Sequence, residues 1–271
     1  MKRQWYATPY ALWMLLFTIV PLLFVVYYAF SDGNGGFTTA NFLRILQPGY
    51  LPVLLTSLKL ALYCTIICLL IGYPTAYFLA SRDFSANKIL VVLILLPMWM
   101  NFLLRTYAMM TILENNGLLN TLFEKLGLPK VQFIGTEGAV LLGMVYNYLP
   151  FMILPIYTCM KKMDRRVVEA AEDLGANPLQ VFCKVSLPLS VPGIVSGITM
   201  VFMPAVTTFA ISKLLGGGMT FLIGDMIENM FMTLKNWQYG STISMILLVV
   251  IIASVALLRK VDPDNQGGGL W

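Results

Sequence analysis

The sequence lacks histidine altogether and contains no nucleotide-binding glycine motif. Without histidine, His-based catalytic triads, H-E-x-x-H zinc sites and imidazole proton relays are all excluded. A Walker A motif requires G-x-x-x-x-G-K-[ST], but the glycine cluster at residues 216–218 is followed by Met219 and Thr220, with no lysine. We therefore predict no catalytic residue, no metal ligand and no cofactor bound by this chain. If ATP drives the protein, another chain hydrolyses it.

Charge is also scarce, and apolar residues dominate. Only 11% of the 271 residues are charged and 58% are hydrophobic, whereas soluble domains are about 25% charged. This composition predicts an integral membrane protein. The four cysteines lack the spacing of a zinc site or a disulfide framework, so we interpret them as small hydrophobic residues.

Six apolar segments are each long enough, at about 20 residues, to cross a bilayer. They lie at about residues 10–30, 51–80, 88–110, 138–160, 192–213 and 239–258. We predict an all-α, polytopic membrane protein of six transmembrane helices, with residues 1–271 forming one transmembrane domain. The first segment has a signal peptide as its alternative, but the bulky residues 27–30 favour a retained span. Pro74 is expected to bend or interrupt the second span.

Two amphipathic helices are predicted outside the spans. The first carries Leu118, Leu119, Leu122, Phe123 and Leu126 on one face, opposite Asn120, Glu124 and Lys125. The second has an apolar face from Leu222 to Leu234, with Asp225 and Glu228 elsewhere on it. Arg105, near the end of the third span, is expected to extend to the interface as an anchor, because an uncompensated arginine costs roughly 2.5 to 3.5 kcal/mol at a bilayer centre.

The distribution of lysine and arginine predicts the orientation. With both termini in the cytoplasm, eleven of the 18 basic residues are cytoplasmic and seven are outside or within spans. This orientation also places the charged segment at residues 164–188 in the cytoplasm. The segment lies between the fourth and fifth spans, and it is predicted to begin with a short helix, N-capped by Asp164 and ended by Gly175 at the C′ position.

The same segment resembles the EAA loop of ABC-importer permeases. The family pattern is E-A-A, x3, G, x9, I, x, L-P, and only its isoleucine differs here, as Val185. The resemblance implies a type I ABC importer permease fold, in which the loop forms a coupling helix that enters a groove of a separate ATPase subunit. The residues implied to couple to the ATPase are Glu169, Ala170, Ala171, Leu174, Gly175, Leu187 and Pro188.

Further stretches resemble the B-type permease of spermidine/putrescine ABC importers. They are Ile71-Gly72-Tyr73-Pro74, Pro97-Met98-Trp99-Met100-Asn101, Leu104-Arg105, residues 115–120, Leu149-Pro150-Phe151-Met152, residues 169–176 and Leu222-Ile223-Gly224. The resemblance implies a multi-pass protein of the plasma or inner membrane that translocates polyamines. It also implies a second, C-type permease, an ATPase dimer that uses ATP and Mg, and an extracellular or periplasmic binding protein. Membrane lipid is the other expected partner, and nucleic acid is not expected.

A polyamine is an extended polycation with apolar links, so its pathway requires oxygen atoms near the ammonium groups and aromatic faces along the carbons. Side chains of these types are Trp99, Asn101, Tyr107, Asn147, Asp225 and Glu228, which we predict to line the pathway. The alternative roles are interfacial belt residues for the aromatics and solvated acids for the carboxylates. Two other functions stay open from the residues alone: a permease for another small solute, and a non-conducting scaffold that docks an ATPase.

Overall fold

In a computed structural model, residues 8–33, 36–44, 49–80 and 88–261 are described, and they are predominantly helical. The helices of the first half are α1 (Thr8–Met14), α2 (Val20–Ala29), α3 (Ala40–Leu43), α4 (Leu51–Ala80), α5 (Lys88–Trp99), α6 (Phe102–Leu113) and α7 (Leu118–Lys125). Those of the second half are α8 (Glu137–Lys162), α9 (Arg165–Asp173), α10 (Pro178–Val181), α11 (Leu187–Thr207), α12 (Ala210–Leu215), α13 (Ile223–Met232) and α14 (Trp237–Val261). The all-α class is confirmed.

Five helical segments are long and apolar enough to span a membrane, and a bent pair supplies a sixth. The five are Leu12–Ala29, Leu51–Ala80, Glu137–Lys162, Pro178–Thr207 and Trp237–Leu258. In the first, a π turn at Leu15–Ile19 joins α1 to α2, directly before Pro21, which has no N–H to continue the α-helical pattern. The six predicted segments are therefore all present as apolar helices. Both termini, which we expect to lie in the cytoplasm, are outside the described residues.

The third predicted span, residues 88–110, is wrong as a single helix. It is a pair of helices, Leu90–Trp99 and Phe102–Lys125, bent by 97°. The break follows Pro97, and Asn101 then starts a new helix because its side-chain oxygen accepts from the N–H groups of Leu103 at 2.8 Å and Leu104 at 3.3 Å. A capped helix start inside an apolar segment redirects the chain.

The second span is continuous, whereas the fifth ends earlier than predicted. Helix α4 runs through Pro74 without a break, so the interruption is absent and a bend at Pro74 stays a prediction. The fifth span ends at Thr207, not at residue 213, and α12 begins only at Ala210. Gly224 packs against this break: a Cβ there would overlap the Thr208 carbonyl oxygen and lie 2.7 Å from that of Thr207. A glycine is required for this approach.

The core is formed where α4, α8 and α11 pack together. Gly193 and Gly197, four residues apart on α11, allow a close approach of helices: a Cβ on Gly193 would lie 2.7 Å from that of Cys159, and one on Gly197 would lie 2.7 Å from the Met152 sulfur. Helix α2 lies outside this core and packs on α14. The first span is therefore peripheral within this chain.

The helices that connect to the core helices lie at two opposite ends of the molecule. Helix α8, about 39 Å long at 1.5 Å per residue, leads into α9, and α11 leads away from it to α12 and α13. We call these the α9 end and the α13 end. Helices α6 and α7 precede α8 and so belong to the α13 end.

Helix α7 confirms the first predicted amphipathic helix, but the assignment of its faces was wrong. Asn120 is fully buried: its amide donates to the carbonyls of Glu114 (3.2 Å) and Val131 (2.9 Å), and its oxygen accepts from the Val131 N–H (2.9 Å). Leu118, Leu122 and Leu126 are exposed instead. The asparagine satisfies the backbone of the surrounding loop, and this turns part of the apolar stripe outward.

Candidate functional site

The short helix predicted at the start of residues 164–188 is confirmed as α9, and residues next to it satisfy backbone groups at both of its ends. Asp164 accepts a hydrogen bond from the Arg166 N–H at 3.0 Å, which satisfies an N-terminal donor. At the other end Gly175 has φ +83°, the left-handed conformation that only glycine adopts easily. The Gly175 N–H donates to the Glu172 carbonyl at 2.9 Å, and the Ala176 N–H donates to that of Ala171 at 3.1 Å. These two bonds form a Schellman motif.

Helix α9 presents its side chains to the outside. Leu174 is 89% exposed, and Val167 and Leu179 are also exposed. Of the residues assigned to coupling, Glu169, Ala170, Gly175, Leu187 and Pro188 are exposed and Ala171 is partly buried. A capped helix followed by two exposed leucines, Leu174 at its C-cap and Leu179 on α10, provides a surface that a second protein can cover closely.

The segment after α9 joins the exposed helix to the core. A capping box at Asn177 starts α10, and a π turn at Phe182–Ser186 carries the chain into α11. The Phe182 ring makes edge contacts with Tyr73 and Tyr77 at centroid distances of 5.7 and 5.5 Å. Tyr73 also hydrogen-bonds Ser190 at 3.0 Å. These contacts connect the segment that follows α9 directly to α4 and α11.

At the α13 end, Asp225 is a buried helix cap. It is 5% exposed, and its carboxylate accepts from the Leu222 N–H at 2.8 Å while Ser57 accepts from the Ile223 N–H at 2.8 Å. Burial raises the pKa of the Asp225 carboxyl, against hydrogen bonds from Ser212 and the Leu222 N–H that lower it. The sequence placed Asp225 away from the apolar face, and this was wrong because capping draws the side chain inward.

Glu228, one turn further along α13, is paired with a lysine that the sequence did not single out. The Lys213 ammonium on α12 lies 2.9 Å from Glu228 Oε1. A second ion pair at the start of α8 joins Lys59 to both oxygens of Glu137, at 2.9 and 2.8 Å. The only sequence signal for Lys213 was its charge, since its partner is 15 residues away in the next helix.

Arg105 is buried, so the expectation that it extends to the interface was wrong. It is 5% exposed, and its Nε and Nη1 atoms have no hydrogen-bond partner among the described residues. The break after Trp99 explains its position, because α6 is bent by 97° away from α5 and packs against α8 and α12. A guanidinium in this environment is costly.

The other pathway candidates lie on neighbouring helices of the α13 end. Trp99, the last residue of α5, is 83% exposed, Asn101 caps α6, and Tyr107 is exposed on α6. Asn147 on α8 is buried, donates to the Gly143 carbonyl at 2.9 Å, and has no partner for its oxygen among the described residues. Since α6, α8 and α12 pack together, α5 packs on α8 and α12 contacts α13, the helices that carry these side chains and the two acids are neighbours. Their role in a pathway stays a prediction.

Comparison with known proteins gives a consistent result. Residues 69–265 match the family described as binding-protein-dependent transport system inner membrane component. The chain is 39% identical to the spermidine/putrescine transport system permease protein PotB of Haemophilus influenzae, over 92% of this chain and 93% of that protein. It is 37% identical to the Escherichia coli PotB, over 88% and 90%. A chain of a bacterial ABC transporter that imports the acidic polysaccharide alginate superposes with a TM-score of 0.76 at 18% identity, covering 96% of this chain and 97% of that one.

The last comparison shows the fold alone, and it confirms the expected type I ABC importer permease architecture. The family match and the relatives above 30% identity show more, because each covers most of the chain. The chain belongs to the family of binding-protein-dependent transport system inner membrane components and is a transport permease subunit.

Proposed function

We propose that this chain is a permease subunit of an ATP-driven importer for the polyamines spermidine and putrescine. The observation that carries the proposal is the 37–39% identity to spermidine/putrescine permeases over about nine-tenths of the chain. The arrangement at the α13 end is compatible with a polycation: exposed aromatic rings at Trp99 and Tyr107 lie on the same end as the carboxylate of Glu228.

The proposed partners are those that the resemblance to polyamine permeases implies. A second, C-type permease would enclose the pathway together with this one. An ATPase pair, which uses ATP and Mg, would dock on α9, which is capped at its N-terminus by Asp164 and followed by the exposed Leu174. The orientation proposed from the basic residues places α9 and both termini in the cytoplasm, with the α13 end facing a periplasmic or extracellular binding protein.

The test is uptake of radiolabelled spermidine and putrescine by vesicles that contain both permeases, the ATPase and the binding protein. We expect ATP-dependent uptake of at least one polyamine, abolished when the binding protein is omitted. Uptake of a different solute alone would make the chain a permease for that solute. ATPase docking without uptake of any solute would make it a scaffold.

A further inference from the structure

The ion pair between Lys213 and Glu228 connects two helices that follow the break in the fifth span. Lys213 lies on α12, immediately after the interruption at Thr208, and Glu228 lies on α13. Asp225 precedes Glu228 by one helical turn, so the cluster contains two carboxylates and one ammonium group. Lys213 is therefore the cation that balances this part of the α13 end.

The lysine side chain has the same chemistry as one end of a polyamine. It is a primary ammonium on four methylene groups, and putrescine is two ammonium groups joined by four methylenes. Spermidine contains the same segment. A carboxylate that accepts the Lys213 ammonium at 2.9 Å presents the distance and charge that the ammonium of a polyamine requires.

The geometry of this pair makes it easy to displace. Lys213 contacts one carboxylate oxygen of Glu228, whereas Lys59 contacts both oxygens of Glu137. The Lys213 side chain is also 61% exposed, so water competes with the pair. Exposed ion pairs with one contact contribute little stability, because solvent screens them and they restrict long side chains.

We propose that Lys213 is an internal competitor that occupies Glu228 until a polyamine ammonium replaces it. This inference rests on the proposed function. In this role Lys213 sets the polyamine concentration at which the substrate binds at the α13 end. It also makes this binding depend on the charge of the substrate. A trivalent polyamine displaces the lysine more readily than a divalent one, since the attraction to the carboxylates scales with the charge of the ligand.

The test measures uptake by the complete reconstituted assembly carrying Lys213→Met. We expect the spermidine concentration for half-maximal uptake to fall about fivefold, with a smaller fall for putrescine; about fivefold corresponds to about 1 kcal/mol at 1.4 kcal/mol per tenfold change. Lys59→Met is the matched control, because it removes a lysine from another ion pair of the same length, and no change is expected. Lys213→Gln repeats the measurement should Lys213→Met fail to assemble.

Repeating the Lys213→Met measurement in a Glu228→Gln background tests whether Lys213 acts through the Glu228 carboxylate. If Lys213 acts through this carboxylate, Lys213→Met has no further effect there. An equal fall in both backgrounds, or the same half-maximal concentration for Lys213→Met and Lys59→Met, overturns the inference while polyamine uptake by the unaltered assembly still supports the proposed function. Absence of polyamine uptake by the unaltered assembly refutes the proposed function itself.

Discussion

Gly175→Asp perturbs the end of α9 without changing the packing of this chain. Gly175 has φ +83°, and a Cβ built on it would have no heavy atom within 4 Å. A side chain in the left-handed conformation costs roughly 1 to 2 kcal/mol, and a negative charge at the negative end of a helix costs roughly 0.3 to 1 kcal/mol. The sum, about 1.3 to 3 kcal/mol, falls on a helix that has few contacts to stabilise it.

If α9 must be helical to enter a groove of the ATPase, this destabilisation of the helix weakens the free energy of docking by the same amount. At 1.4 kcal/mol per tenfold change, docking weakens by about 10-fold to 150-fold. We expect transport and stimulated ATP hydrolysis to fall together, while the permease still inserts in the membrane. The measurement is uptake and ATPase activity of the reconstituted assembly, with the amount of inserted permease determined in the same vesicles.

Gly127→Asp is a matched control within the same chain. Gly127 has φ +73°, an open Cβ position, and the same Schellman pair, with its N–H donating to the Glu124 carbonyl at 3.1 Å and the Leu128 N–H donating to that of Phe123 at 2.8 Å. It ends α7, at the opposite end of the bundle. Normal uptake by a well-expressed Gly175→Asp variant, or an equal loss in Gly127→Asp, would refute the coupling role.

Three further predictions concern stability and dependence on partners. Gly224→Ala should destabilise the permease by about 1 to 3 kcal/mol, because its Cβ overlaps backbone carbonyls; an unchanged thermal midpoint would contradict this packing. Arg105→Met should leave the midpoint unchanged or raise it, since each unpaired buried N–H costs about 1 to 3 kcal/mol; a lower midpoint would show that the guanidinium is stabilising. Purified without partners, the chain should neither hydrolyse ATP nor transport, and either activity in a partner-free preparation would disprove the proposed division of labour.

Structure determined by neighbouring residues could be predicted from the sequence. The limits of α9 were readable because Asp164 and Gly175 act on backbone groups within a few positions of themselves. The close packing at Gly193 and Gly197 was also predictable, because small residues four apart lie on one helix face. The pattern alone was sufficient in both cases.

Structure that depends on distant or competing partners was not predictable in the same way. Asn120 and Asp225 are polar, so periodicity assigns them to solvent, yet both are buried because they satisfy backbone groups. Asn101 lies inside an apolar segment that is long enough to span, and only its capping bonds reveal that a new helix begins there. For the candidate site, the pairing of Lys213 with Glu228 required knowledge of how α12 turns toward α13.

The π turn at Phe182–Ser186 has a geometrical consequence for the whole chain. A π turn contains about one residue more than an α turn, so the helix after it is offset by about 100° around its axis from a continuous α-helix. Helix α11 packs in the core through the face that carries Gly193 and Gly197. The π turn at Phe182–Ser186 sets the angle between this face and α9. Removing one residue from this turn would rotate α9 about the axis of α11 while the spans kept their packing. The number of residues between Gly175 and Val185 therefore sets the angular position of α9 around the axis of α11.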